Sequence, residues 1–199
     1  ADDILVVFVS GHGQAYGSDY YFVPPHPDLT LDLDEQRRRE VVERIGIPWS
    51  DLQALAEINC RKLFLLDTCY SGNVTAAEKG SARPLRQSQV MVFSATSENQ
   101  LALAVNPVRP DHGLFTGFLL EACVGKADGV AAFAPVPLRF VPLKDGNINL
   151  KEVVSYVGYH AGKYYQHPKY TPIELLDFVD LSLFRVVEGA ELSPRAPAE

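Results

Sequence analysis

Residues 63–72 read LFLLDTCYSG. Four apolar residues run into an acid, a threonine and a cysteine, and a glycine closes the turn. Upstream, residues 3–9 read DILVVFV and lead straight into SGHG at 10–13. Continuous apolar runs of this kind are typical of strands buried on both faces of a parallel sheet. KLFLL (62–66) and QVMVFSA (89–95) have the same character, and LFRVV (183–187) is a fourth candidate strand. DYYFVP (19–24) is short and closed by Pro24-Pro25, so it reads as a small hairpin arm or edge piece.

Helical patterns fall between these runs. SDLQALAEI carries Ser50 with Gln53 three residues on, and NLKEVVSYVGYHAGKYYQ carries Asn149 with Glu152, two capping-box signatures. GLFTGFLLEACVG (113–125) predicts an apolar helix with a glycine near its end. DLTLDLDEQRRREVVERIG is strongly charged and reads as a solvated loop with a short helix. NVTAAEKGSARPLRQSQ (73–89) is polar and rich in breakers, hence an exposed loop. This alternation predicts an α/β three-layer sandwich around a mainly parallel central sheet. One domain over residues 1–188 is expected, with 73–88 dividing 1–72 from 89–188, followed by a flexible tail at 189–199.

The bulk properties narrow the function. The 199 residues are 47% apolar, enough for a sizeable core, and the net charge of −7 argues against a nucleic-acid partner. No stretch has the length and apolarity of a membrane span, so no membrane partner is expected. The three cysteines, Cys60, Cys69 and Cys123, form no C-x-x-C and no dense framework. They predict reduced thiols and a cytoplasmic location. The chain has no initiator methionine and begins almost directly in a strand, as a piece of a longer protein would.

In a parallel sheet, sites form beyond the carboxyl ends of the strands. If DILVVFV and KLFLL are neighbours, their axes lie about 5 Å apart, and His12 and Cys69 face each other across a narrow cleft. A thiol becomes a strong nucleophile only as the thiolate, and a nearby imidazole can take its proton and later protonate a leaving amine. Gly11 and Gly13 flank His12, and Gly72 follows Cys69, which lets a substrate backbone approach closely. The amides of Gly13 and Cys69 are candidates for an oxyanion hole.

VVFVSGHG and KLFLLDTCYSG resemble the two catalytic motifs of caspase-like cysteine peptidases, with the closest likeness to the metacaspase, paracaspase and bacterial caspase-like branch. GIPWSDLQAL, VFSATSENQLALA, HGLFTGFLLEA and INLKEVVSYV also have counterparts there. The resemblance implies a caspase-like fold, His12 as general base and Cys69 as nucleophile; the separation of 57 residues agrees with the family's roughly 50. It also implies two strands ahead of the His12 strand, which this chain lacks, so the missing N-terminal part of the same protein is an expected partner. Tyr70 stands where many relatives carry histidine.

In that branch the acid matching Asp67 lines the primary pocket and pairs with arginine or lysine. A carboxylate can take a guanidinium in a bidentate pair and repels a substrate carboxylate. The expectation is therefore cleavage after Arg or Lys, with a basic peptide or protein as substrate; otherwise Asp67 caps the Cys69 loop as a structural carboxylate. Glu98 is a second candidate pocket acid, or an ordinary surface one. Lys79, Arg83 and Arg86 lie in the 73–89 loop as candidate self-cleavage points, or as a plain basic surface. No cofactor and no metal are expected: the zinc and EF-hand spacings are absent, although some metacaspases use calcium. His112 precedes a predicted helix, and His26, His160 and His167 read as surface residues. The alternative to a peptidase is a catalytically silent caspase-like interaction module.

Overall fold

The computed structural model describes residues 3–74, 89–130, 144–171 and 182–186. The chain packs as two compact units: residues 1–102 with 169–172, and residues 103–168 with 173–199. All six strands of the central sheet belong to the first unit.

The first unit is an α/β structure built on β1 (Ile4–Tyr16), β2 (Asp19–Val23), β3 (Ile47–Pro48), β4 (Arg61–Thr68), β5 (Val90–Ser94) and β7 (Lys169–Thr171), in the spatial order β3-β2-β1-β4-β5-β7. The sheet is mixed. β1, β4 and β5 form a parallel centre, while β2, β3 and β7 add antiparallel flanks. The mainly parallel expectation therefore holds for the three apolar runs, and β3 and β7 were too short to stand out in the sequence.

β1 corrects the expected end of its strand. It does not stop at Val9 but continues through SGHG to Tyr16. Residues Ile4–Gly11 pair with Arg61–Thr68 of β4, and residues His12–Tyr16 pair instead with β2 as a hairpin. The change of partner falls at Gly11, whose φ of +145° is a conformation that side chains with a Cβ rarely adopt. The hairpin arm expected at 19–24 is thus β2.

Burial follows from this pairing. β4 and β5 are buried on both faces, as their continuous apolar runs predict. β1 is not: Val6 and Phe8, on one face of the strand, are 52% and 47% exposed, and among the described residues the Ile4–Gly11 segment has a strand neighbour only in β4. Its other face, Val7 and Val9, packs on a core of Tyr20, Phe22, Trp49, Phe64 and Leu66.

Two helices belong to this unit. α1 (Glu35–Ile45) is capped by the Asp34 carboxylate on the Arg37 amide at 2.8 Å, and it buries only Val42, as a charged, solvated segment should. α2 (Trp49–Gln53) starts one residue before the expected capping box. Pro48 is still paired to Tyr21, so the helix begins directly at the strand end, Ser50 falls inside the first turn, and no side chain caps it. The buried indole of Trp49 anchors α2 between Phe22 and Phe64, at ring distances of 6.4 and 5.1 Å.

The second unit holds α3 (Leu114–Glu121), which continues as a π turn through Lys126, then β6 (Asn147–Asn149), α4 (Leu150–Gly162) and β8 (Ser182–Arg185). The capping box on α4 is present in full: Glu152 N–H donates to Asn149 Oδ1 at 3.0 Å, and Asn149 N–H to Glu152 Oε2 at 2.9 Å. β8 does not join the central sheet as expected; it pairs with β6 in a separate two-stranded sheet. The Glu121 carboxylate is buried, yet it stays below the usual carboxylate range. Burial alone would raise it, but hydrogen bonds from Lys126 at 2.6 Å and Tyr156 at 3.0 Å outweigh that cost.

His160 is a second correction. It is not a free surface residue but packs between Tyr156 and Phe118, at ring distances of 4.3 and 5.2 Å. Burial, reinforced by Lys163, lowers its pKa from 6.5. The unfolded chain therefore takes up this proton before the folded one. Stability should hold above pH 6.5 and fall as the pH drops from there to the lowered native value. His160→Gln should flatten that fall, measured by urea unfolding between pH 7.5 and 5. Trp49→Ala should cost about 3–5 kcal/mol by the same assay.

Candidate active site

The parallel ladder ends with Gly11 opposite Thr68. The next residues on the two strands are His12 and Cys69, so the register itself carries both side chains to one edge of the sheet. His12, Gly13, Cys69, Tyr70 and Leu101 line a single cleft of about 320 Å3. His12 is exposed and Cys69 half-buried, which suits groups that must meet a substrate.

The cysteine stands on a buried polar seat. Tyr20, on β2, is 1% exposed. Its phenol donates to the Cys69 carbonyl at 2.6 Å and lies 2.7 Å from Thr68 Oγ1. The phenol has one proton, which goes to the carbonyl, so Thr68 is the donor in the second contact. Burial pushes the Tyr20 pKa far up, and the Thr68 hydrogen bond only partly offsets this, so the phenol stays protonated and able to donate. Gly13 makes the approach feasible: a Cβ there would collide with Tyr20 Oη and the Cys69 carbonyl.

The turn after Cys69 is held as firmly. Tyr70 has φ +56°, the left-handed region that non-glycine residues seldom occupy. Its amide donates to Gln100 O at 2.8 Å, and its carbonyl accepts from Asn73 N and Nδ2. Asn73 Nδ2 also reaches Glu98 O at 2.6 Å. Ser71 and Thr96, both fully buried, exchange amide-to-hydroxyl hydrogen bonds at 3.2 and 3.3 Å. The segment after β5 is thereby stitched to the Cys69 loop. At its end the Ala102 amide donates to Cys69 Sγ at 3.3 Å.

The other expected site residues are placed differently. Asp67 lies in β4, paired with Ser10 and only 6% exposed, and Glu98 is exposed on the 97–100 turn. Neither is among the described residues that line the cleft. Lys79, Arg83 and Arg86 lie outside the described residues. His112 precedes α3, 3.4 Å from Asp111, and His26 caps a 3-10 turn at Pro27–Thr30. Among the described residues no group of three or more His, Cys, Asp or Glu side chains could hold a metal ion, and no helix is long and apolar enough to cross a membrane.

Sequence reasoning missed Tyr20, Thr96, Ser71 and Asn73. Their partners are 25 to 49 residues away, and no local pattern encodes such contacts. Gly13 was the available signal, since a glycine inside a strand marks a close approach.

Compared with protein-family models and with curated proteins, the chain matches none.

Tyr20→Phe removes both phenolic hydrogen bonds while keeping the ring. It should cost about 1–2 kcal/mol by urea unfolding. It should also change the rate at which Cys69 is alkylated at fixed pH, because the carbonyl beneath the sulfur loses its donor. An alkylation rate equal to wild type would show that Tyr20 serves only as core.

Proposed function

We propose that the chain is a cysteine endopeptidase of the caspase-like kind, with Cys69 as nucleophile and His12 as general base. The observation that carries this reading is the β1–β4 register, which delivers both residues to one cleft. The imidazole takes the Cys69 proton, and the thiolate attacks the scissile carbonyl carbon. The developing oxyanion meets the amides of Gly13 and Cys69. His12 returns the proton to the leaving amine as the C–N bond breaks, and water then releases the acyl group from sulfur by the same route.

The preferred bond follows Arg, or Lys less well, with Asp67 as the acid of the primary pocket and Glu98 as a second one. Support for this comes from the DTC spacing, two residues before Cys69, and from the motif resemblance. Self-cleavage in the 73–89 loop at Lys79, Arg83 or Arg86 belongs to the same proposal. So does a caspase-like three-layer architecture, with further strands of the same protein along the Ile4–Gly11 edge of β1, which has no second strand neighbour among the described residues. The chemistry needs no cofactor or metal. All three cysteines are free, which fits a cytoplasmic enzyme.

A second reading, a catalytically silent interaction module, has one observation on its side: among the described residues no hydrogen bond joins the His12 imidazole to Cys69 Sγ, whose donor is instead the Ala102 amide.

Incubation with fluorogenic peptide amides ending in Arg, Lys or Asp separates the two. Release from the Arg peptide is expected, with Lys slower and Asp inert, falling by at least about 10³-fold in Cys69→Ala and in His12→Ala. Full release in Cys69→Ala, or none from any peptide with wild type, would remove the peptidase reading. On a gel, autolytic fragments should be present for wild type and absent for Cys69→Ala.

A further inference from the structure

The cleft beside Cys69 carries a charge that the catalytic proposal does not use. Arg38, on α1, lines it together with Val23, Leu29, Val42 and Leu101. Among the described lining residues it is the one with a permanent charge. α1 bears four arginines, and their surroundings differ. Arg37 pairs with Asp34 at 3.5 Å, Arg39 with Glu43 at 2.6 Å and Arg44 with Asp28 at 2.6 Å. Among the described residues no carboxylate pairs with Arg38. Val42 is one turn further along the same helix face, so guanidinium and apolar wall are presented together. The chain as a whole carries −7, yet this wall is cationic.

Resting on the peptidase reading, we propose that Arg38 forms an anion-accepting subsite, which takes an Asp or Glu side chain of the peptide near the scissile bond. An unpaired guanidinium offers the planar donor fork that a carboxylate matches in bidentate fashion. Val23, Leu29, Val42 and Leu101 cover the methylene stem of that side chain. A volume of about 320 Å3 is at the small end of ligand pockets and holds a side chain with its backbone rather than a long segment. This subsite is separate from the proposed pocket for the basic residue before the bond, since the acid lies on the Arg38 wall and Asp67 does not line this cleft.

Two measurements test the subsite. The first needs no proteolysis. Iodoacetate and iodoacetamide form the same S–C bond with Cys69 and expel iodide, but only iodoacetate carries a carboxylate. The ratio of their rates at Cys69, read by mass spectrometry of the peptide holding it and normalised to free cysteine, should drop about tenfold in Arg38→Gln at low salt. It should recover in Arg38→Lys, and the wild-type excess should fade at 1 M salt. Cys60 is buried, and burial pushes the Cys123 thiol up to about 11, so neither competes strongly. A ratio unchanged in Arg38→Gln overturns the subsite.

The second uses peptides with Arg before the bond and Glu, Gln or Lys at each neighbouring position. Wild type should prefer Glu at one position about tenfold over Lys, and Arg38→Glu should reverse that order. Cleavage without such a preference, or with the same preference in Arg38→Glu, overturns the subsite and leaves the peptidase reading standing. Absence of cleavage counts against the peptidase reading instead, and the alkylation ratio then decides the subsite alone.

Discussion

The parallel ladder between β1 and β4 is the constraint on which the site depends. It pairs Ile4 with Arg61 and stays in register for eight residues until Gly11 faces Thr68. Because side chains alternate along a strand, a slip by one residue would send every side chain to the opposite face. Val7, Val9, Phe64 and Leu66 prevent that slip, since all four must enter the same apolar cluster as Trp49. The core thus sets, from many residues away, which groups arrive together at the end of the strands. β1 then changes partner at Gly11 and runs on as a hairpin, so His12 is placed by an ordered strand on both sides rather than by a loose loop.

Below Cys69 the fold accepts a burden of buried polarity and backbone strain. Tyr20, Thr68, Ser71 and Thr96 are all essentially inaccessible to water. Each would be costly to bury alone, and each is hydrogen-bonded. The left-handed Tyr70 would not persist without the Gln100 and Asn73 contacts that hold both its peptide planes. The result is a stiff mount for a half-buried cysteine that lines the cleft and whose sulfur accepts from the Ala102 amide. A functional group on a stiff support beside a cleft is the arrangement that binding and chemistry require.

Charge is distributed with similar economy. Arg37, Arg39 and Arg44 spend their charge within the described structure, on Asp34, Glu43 and Asp28. Exposed pairs of this kind contribute little to stability. Arg38 differs only in what faces it: a cleft wall in place of a carboxylate. In the second unit the reverse holds, as Glu121 is buried but doubly hydrogen-bonded and so retains its charge.

The sequence by itself identified the three central strands, the hairpin arm, the capped start of α4 and the pair His12 and Cys69, because each is written in a local pattern: a continuous apolar run, a Pro-closed short strand, an Asn-x-x-Glu spacing, a glycine-flanked polar end. It could not show that β1 runs past His12, since a strand that exchanges a parallel partner for an antiparallel one looks, residue by residue, like a strand followed by a loop. Nor could it assign LFRVV to a separate two-stranded sheet, or move the start of α2 to Trp49, since both depend on partners distant in the chain. The seat of Cys69 and the cationic wall at Arg38 were decided by tertiary structure alone. Hydrogen bonds between residues 20 and 69, or 71 and 96, leave no periodic trace, and one arginine among four becomes different only when the other three have found their carboxylates.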